Sequence, residues 1–238
     1  MKTRMLGIAL GLVVTSSTFA QVVIFDNLNP TTGNTATGTS PRNRIAKGGM
    51  NLLDPGTDKH WEVSQLRLRM WMTGPATVTN ITAEVILWNE FNLSGFGGAG
   101  TNVFQNEAGR QTFNLSDITG TGNVSRIETL VFDNPIALSA HENIGVEVVF
   151  LSNGVANQSL TMALWDHSPT VGSSSYSPFF RDVNDNGVIE QGEARTLTGW
   201  VNDHGVQYEL TGEAVPEPAT MAALGLGVAA LIRRRNKR

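Results

Sequence analysis

The densest oxygen chemistry in the chain lies in one short run, Asp182-Val183-Asn184-Asp185-Asn186-Gly187-Val188-Ile189-Glu190-Gln191-Gly192-Glu193. Side-chain oxygens recur at every second position from Asp182 through Asn184 to Asn186, and a final carboxylate follows at Glu193. That spacing suits a hard divalent cation, which gathers oxygen ligands and tolerates an irregular shell. Asp182, Asn184 and Asn186 line one side of such an ion, and the carbonyl of Val188 adds a ligand. Glu190 acts directly or through water, and Glu193 reaches back with two oxygens. Gly187 permits the sharp turn between the two halves, and Ile189 is expected to pack inward.

The series D-x-N-x-N-G-x-I-x-x-x-E, counted from Asp182, resembles the calcium loop of an EF-hand. The resemblance implies calcium in a structural role, since every side chain is committed to the ion and no open position remains for a substrate. It stops at the loop. Residues 173–178 and 196–199 are poor helix formers, Ala194 stands where that family has a larger apolar residue, and no second loop is present to pair with. The expectation is a calcium hairpin set into another fold, with the alternative of an acidic, asparagine-rich turn that fits by composition.

Other chemistry is thinner. Trp71 and Trp88 alternate with the aliphatic residues of their segments, so they face away from them. Aromatics on an outer sheet face stack on sugar rings, which makes this pair a candidate glycan platform; core packing is the plainer reading. His60, His141, His167 and His204 show no metal-ligand spacing, and no serine sits in a G-x-S-x-G elbow. Glycosidase chemistry needs only two carboxylates brought together by folding, so it leaves no local signature. The sequence reads as a non-enzyme.

The elements that must position these residues are strands. Apolar alternation recurs in short runs divided by Gly, Asn, Ser and Thr, and no stretch of the body sustains a 3.6-residue period. Leu66, Leu68, Met70 and Met72 face one way in residues 61–72; Ala83, Val85 and Leu87 do so in residues 77–88. Gly74-Pro75 separates these two segments, which allows them to pair antiparallel. Further strands are expected at 22–26, 112–115, 126–132, 143–151, 160–165 and 207–210, with irregular stretches at 27–42 and 92–109. Strands of this number and length in one domain predict an all-β fold, an antiparallel β-sandwich of jelly-roll type.

Both ends of the chain are different in kind. Lys2 and Arg4 precede an apolar run over residues 5–14, and Thr18-Phe19-Ala20 leads to Gln21; this is a signal peptide with cleavage after Ala20. At the other end, Pro216-Glu217-Pro218 forms a rigid non-helical hinge within residues 215–218. Residues 219–232 carry no charge, and residues 233–238 hold Arg233, Arg234, Arg235, Lys237 and Arg238. As a helix, the uncharged segment rises roughly 21 Å, short of a hydrocarbon core of about 30 Å, a mismatch that snorkelling arginines reduce.

Hinge, short apolar helix and basic end, residues 215–238, resemble the PEP-CTERM sorting signal of Gram-negative bacteria. The resemblance implies recognition and removal of the tail by an exosortase, an integral membrane protease, after a transient stay in the inner membrane. It also implies association with exopolysaccharide and biofilm, as for that class of protein.

Between the two ends, residues 21–215 contain 20 Asp and Glu against 10 Lys and Arg, a net of −10 where the full chain carries −4. An acidic body with no basic cluster is a poor nucleic-acid binder, and divalent cations are its natural counter-charges. The chain has no cysteine, so no disulfide supports it. The domains are therefore a signal peptide at 1–20, a β-sandwich at 21–214 holding the 182–193 loop, and the sorting tail. The functional reading is an exported, non-enzymatic protein of the cell surface or extracellular matrix. A carbohydrate-binding module is the alternative, and a polysaccharide-cleaving enzyme the third.

Overall fold

The computed structural model describes residues 20–28, 43–93, 101–157, 159–166, 168–176, 178–195, 204–217, 225–227 and 232–234. The signal peptide expected at 1–20 except its last residue, most of the irregular stretch expected at 27–42 and most of the sorting tail lie outside them.

The first sheet is built around β3 (Lys59–Met72). Leu66, Leu68, Met70 and Met72 are fully buried on its inner side, while Arg67, Arg69 and Trp71 take the outer side, as a period of two requires. One edge of β3 bonds β8 (Val124–Leu138) from Trp61↔Leu138 to Met72↔Val124. The other edge bonds β17 (Tyr208–Pro216) and, further along, β11 (Leu160–Met162). β1 (Val22–Asp26) closes the far side of β17, giving the order β1-β17-β3-β8.

The second sheet runs through β2 (Arg44–Asn51), β9 (Ile144–Ser152), β5 (Ile81–Phe91) and β6 (Phe104–Leu115), in the order β2-β9-β5-β6. β14 (Phe179–Arg181) extends it beyond β2 and carries β15 (Ala194–Arg195) on its outer edge. β13 (Ser173–Ser174) pairs with the end of β2, and β10 (Val155–Ala156) forms a hairpin on β9. Asn153 (φ 51°) and Gly154 (φ 76°) turn that hairpin in the left-handed region, the geometry a two-residue connection requires. Two small ladders complete the set: β4 (Ala76–Val78) with β7 (Ile118–Gly120), and β12 (Leu164–Asp166) with β16 (His204–Val206). All these pairings are antiparallel.

The inner faces of both sheets contribute to one core. Val63, Leu66 and Leu68 of β3 join Val85 and Leu87 of β5, and Val146, Val148 and Phe150 of β9. Three expectations change. β3 and β5 do not pair, because β8 and β17 already occupy both edges of β3; the chain crosses to the second sheet through the β4 corner. The irregular stretch expected up to residue 109 ends earlier, since β6 starts at Phe104. Its polar residues show little alternation, and the edge of β5 organises it instead, through Trp88↔Glu107 and a register shift beside it. Finally, β17 runs to Pro216 and takes in the first residue of the hinge.

Candidate functional site

The outer face of the second sheet, normally the wet side, carries a second apolar core. Ala46, Phe91, Val103, Phe104, Phe180 and Ile189 form it, with Trp88, Leu93, Tyr176 and Ala194 packed alongside. The ring of Phe104 lies 5.4 Å from Phe91, 5.8 Å from Phe180 and 6.1 Å from Trp88, centroid to centroid. Gly48 and Gly145 explain how the rings lie so close to the sheet: a Cβ at Gly48 would overlap Phe91, and one at Gly145 would overlap Phe104.

A buried charge sits on this same face. Glu147, opposite Ala46 on one neighbour and Ile86 on the other, is 1% exposed. Arg44 Nη1 donates to its Oε1, and Trp88 Nε1 donates to its Oε2 at 3.1 Å. Arg44 Nε also lies 3.7 Å from Asp182 Oδ2, which links the pair to the acidic loop. Burial pushes the Glu147 carboxyl above its ordinary value, against the opposing pull of Arg44 and the Trp88 N–H. In the sequence this network shows only as a glutamate in the middle of the apolar run of β9, because its members come from distant strands.

The six candidate ligands share one compact loop. Asp182, 4% exposed, accepts the Asn186 N–H at Oδ1 (3.1 Å) and the Gly187 N–H at Oδ2 (2.8 Å). Asn184 Oδ1 accepts the Asn186 N–H at 3.1 Å, and Asn186 Oδ1 accepts the Val188 N–H at 2.9 Å. Asn186 Nδ2 donates to Glu190 Oε1 at 2.9 Å. Glu193 folds back through a 3₁₀ turn (Gln191–Glu193), where Oε1 accepts the Val183 N–H at 2.5 Å and Oε2 the Glu190 N–H at 3.0 Å. Gly187 takes φ 80°, as the turn demands. Ile189 is fully buried in the second core, and its carbonyl accepts the Val103 N–H at 2.8 Å.

The carboxylate oxygens of Asp182 and Glu193 thus point at backbone amides, a set of donors that stabilises negative charge without an ion, while Glu190 accepts from the Asn186 side chain. Among the described residues, no three His, Asp or Glu side chains gather closely enough to hold a metal. For a cation to bind as the spacing predicts, Glu193 must exchange the amides of Val183 and Glu190 for the ion. Asp182, Asp185 and Arg44 already border a surface pocket of about 190 Å³ there, with Asn43 and Leu151.

A second, wider groove of about 600 Å³ is lined by residues that include His60, Asn89, Glu107, Ala137, Ser139 and Glu217. Asn89 Oδ1 braces its wall by accepting the Ser139 N–H at 2.8 Å. Hydrogen bonding to Arg110 holds the Glu107 carboxyl below its ordinary value. Glu217 brings the middle residue of the hinge into this groove.

The two tryptophans are not brought together. Trp71 lies on the outer face of the first sheet and Trp88 on the outer face of the second, where its N–H is spent on Glu147. A joint stacking platform is therefore not formed. Of the sorting residues, Pro216 pairs with Lys59 as the last rung of β17, and the Glu217 N–H donates to the Asp58 carbonyl at 2.9 Å. Arg233 and Arg234 lie in a short helical piece at 232–234; Pro218 and Arg235 fall outside the described residues. Among the described residues, no helix is long and apolar enough to cross a membrane; the helix expected over 219–232 falls mostly outside them.

Residues 214–238 match the family model for the PEP-CTERM protein-sorting motif. No curated protein and no solved structure matches the chain. The motif implies an exported protein, sorted and processed by an exosortase.

Proposed function

We propose, starting from the PEP-CTERM motif that makes this chain an exosortase substrate, that its body is a non-enzymatic jelly-roll sandwich displayed at the cell surface or in the extracellular matrix. The match at 214–238 carries this reading. The jelly-roll assignment is supported by the strand orders β1-β17-β3-β8 and β2-β9-β5-β6, which interlock two Greek keys through the pairs β1–β17, β2–β9, β3–β8 and β5–β6. β14 and its partners are then an addition beyond β2. Association with exopolysaccharide is the role such a displayed sandwich takes in this reading. A chain ending at Val215 should be exported but lost early from the surface. Pro216→Ala with Pro218→Ala should accumulate the tail-bearing form in the inner membrane. Mass spectrometry of surface-extracted protein reads both ends; wild-type protein still ending at Arg238 would show that no processing occurs.

The same body, in our proposal, takes calcium at Asp182, Asn184, Asn186, Val188, Glu190 and Glu193 as a structural ion. Support comes from the single compact loop, the left-handed Gly187 and the inward Ile189. A lone loop binds weakly, in the range of about 10⁻⁴–10⁻³ M. At ~100 Kd of free calcium, a ligand that binds only the folded form adds roughly 2.7 kcal/mol, or about 5–10 °C for a domain of this size. Glu193→Gln separates the ion from the fold. Its amide nitrogen cannot accept the N–H groups that Glu193 now satisfies, so this variant should melt lower even in chelator and show no calcium response. Identical wild-type melting in chelator and in about 10–100 mM calcium, ~100 times that Kd range, would leave the loop a self-satisfied turn.

A further inference from the structure

We infer that the folded body itself holds the sorting motif, and that the last rungs of β17 must open before the membrane protease can act on it. The inference rests on the exosortase reading above. Ala214, Val215 and Pro216 pair with Trp61, His60 and Lys59, and the backbone of Glu217 is bonded to Asp58. The sorting motif is thus continuous with the sheet instead of hanging from a free linker. Ala214 packs against the core beside Trp61, which is 4% exposed and donates its indole N–H to the Leu53 carbonyl at 2.6 Å. Glu217 also borders the groove that His60 lines.

Length makes this a constraint on the reaction. The apolar segment begins at Ala219, so only Glu217 and Pro218 separate the last rung from the membrane-seeking tail. Two extended residues span at most about 7 Å. An integral membrane protease must then reach a bond pressed between the bilayer and a folded sandwich. Releasing residues 213–216 lengthens the tether by about 14 Å, at ~3.4 Å per residue. These are also the easiest rungs to release. β1 begins at Val22 opposite Gly212, so among the described residues the end of β17 beyond Gly212 is paired along one edge only, by β3. Asp58, Lys59 and His60 are accordingly the residues that hold the motif back from processing, since their backbones pair with it.

The test locks the rungs and keeps Pro216-Glu217-Pro218 unchanged. His60 and Val215 are directly opposed, and antiparallel partners lie within the Cα separation a disulfide spans. The chain has no other cysteine, so His60→Cys with Val215→Cys forms one defined bridge after export. Oxidised, this variant should convert from the tail-bearing to the tail-free form at least about tenfold more slowly than in its own reduced state, which carries the same substitutions without the bridge. A second variant guards against misfolding: Gly-Ser-Gly-Ser inserted between Ala214 and Val215 leaves residues 215–238 intact, and should be processed faster than wild type. Equal rates in the oxidised and reduced states, with the bridge verified, overturn the inference and mean the motif is read in place along the open edge of β17. No acceleration by the insert overturns it independently. Retention of Arg238 by wild-type protein would instead remove the exosortase reading and this inference with it.

Discussion

Arg44→Ala should destabilise the folded body by about 3 kcal/mol near neutral pH, the low end of the range for stripping the partner from a buried charge, because Arg44 retains some exposure to water. Among the described residues, Glu147 would be left with the Trp88 N–H as its hydrogen-bond donor, in the middle of a sheet and beneath a second core. The loss should depend on pH in a defined direction. Glu147 binds its proton more tightly folded than unfolded, since burial raises its pKa from the ordinary 4.5. Its contribution is therefore fully present below the unfolded value and is lost as pH rises through the folded one. Removing Arg44 removes an interaction that lowers that folded value, so the window extends upward. Urea midpoints compared between variant and wild type should diverge as pH rises and converge as it falls toward about 4.5. Arg44 also lies 3.7 Å from Asp182 Oδ2, so the same comparison in a Glu147→Gln background isolates the Glu147 contribution. Arg44→Ala combined with Glu147→Gln should recover much of the loss, since no charge is then stranded. A difference independent of pH would mean that Arg44 acts through packing alone.

Phe104→Ala should cost about 3–5 kcal/mol, the range for a buried aromatic cut to alanine. Phe104 is 1% exposed, contacts three aromatic rings and lies over Gly145, so the cavity has rigid walls and little to fill it. The loss has a second signature. Ile189 and Val103 rest in this cluster, so the acidic loop should open ahead of the sandwich as a whole. Limited proteolysis should nick residues 183–192 in Phe104→Ala under conditions where the β3–β8 sheet is still protected. Phe150→Ala, which cuts the main core, should lower stability without that selective nicking. Equal loop protection in both variants would show that the second core does not hold the loop.

The legible parts of this protein are those whose physics is local. Alternation in residues 61–72 identifies β3 and its inner face, because side-chain direction follows from backbone pleat alone. The turn chemistry of Asp182, Gly187 and Glu193 is likewise local, and those residues form one loop with Ile189 turned inward. Where local signals are weak, boundaries moved: β6 begins at Phe104 because β5 supplies the partner edge that its polar sequence does not advertise.

Sequence by itself determined the address and the strand grammar: the hinge, apolar segment and basic end of the tail, the alternating runs, and the oxygen spacing after Asp182. Each is a short-range pattern set by the dihedral limits and hydrophobicity of neighbours. Tertiary structure alone decided who meets whom. Arg44 and Glu147 are 103 residues apart and become partners only because β2 and β9 pair. Trp71 and Trp88 share a pattern yet end on different sheets, since strand edges are finite and those of β3 were already taken. Pro216 reads as a free hinge until β17 is seen to pair it with Lys59. Pairing is a property of two distant segments, and no single segment carries it.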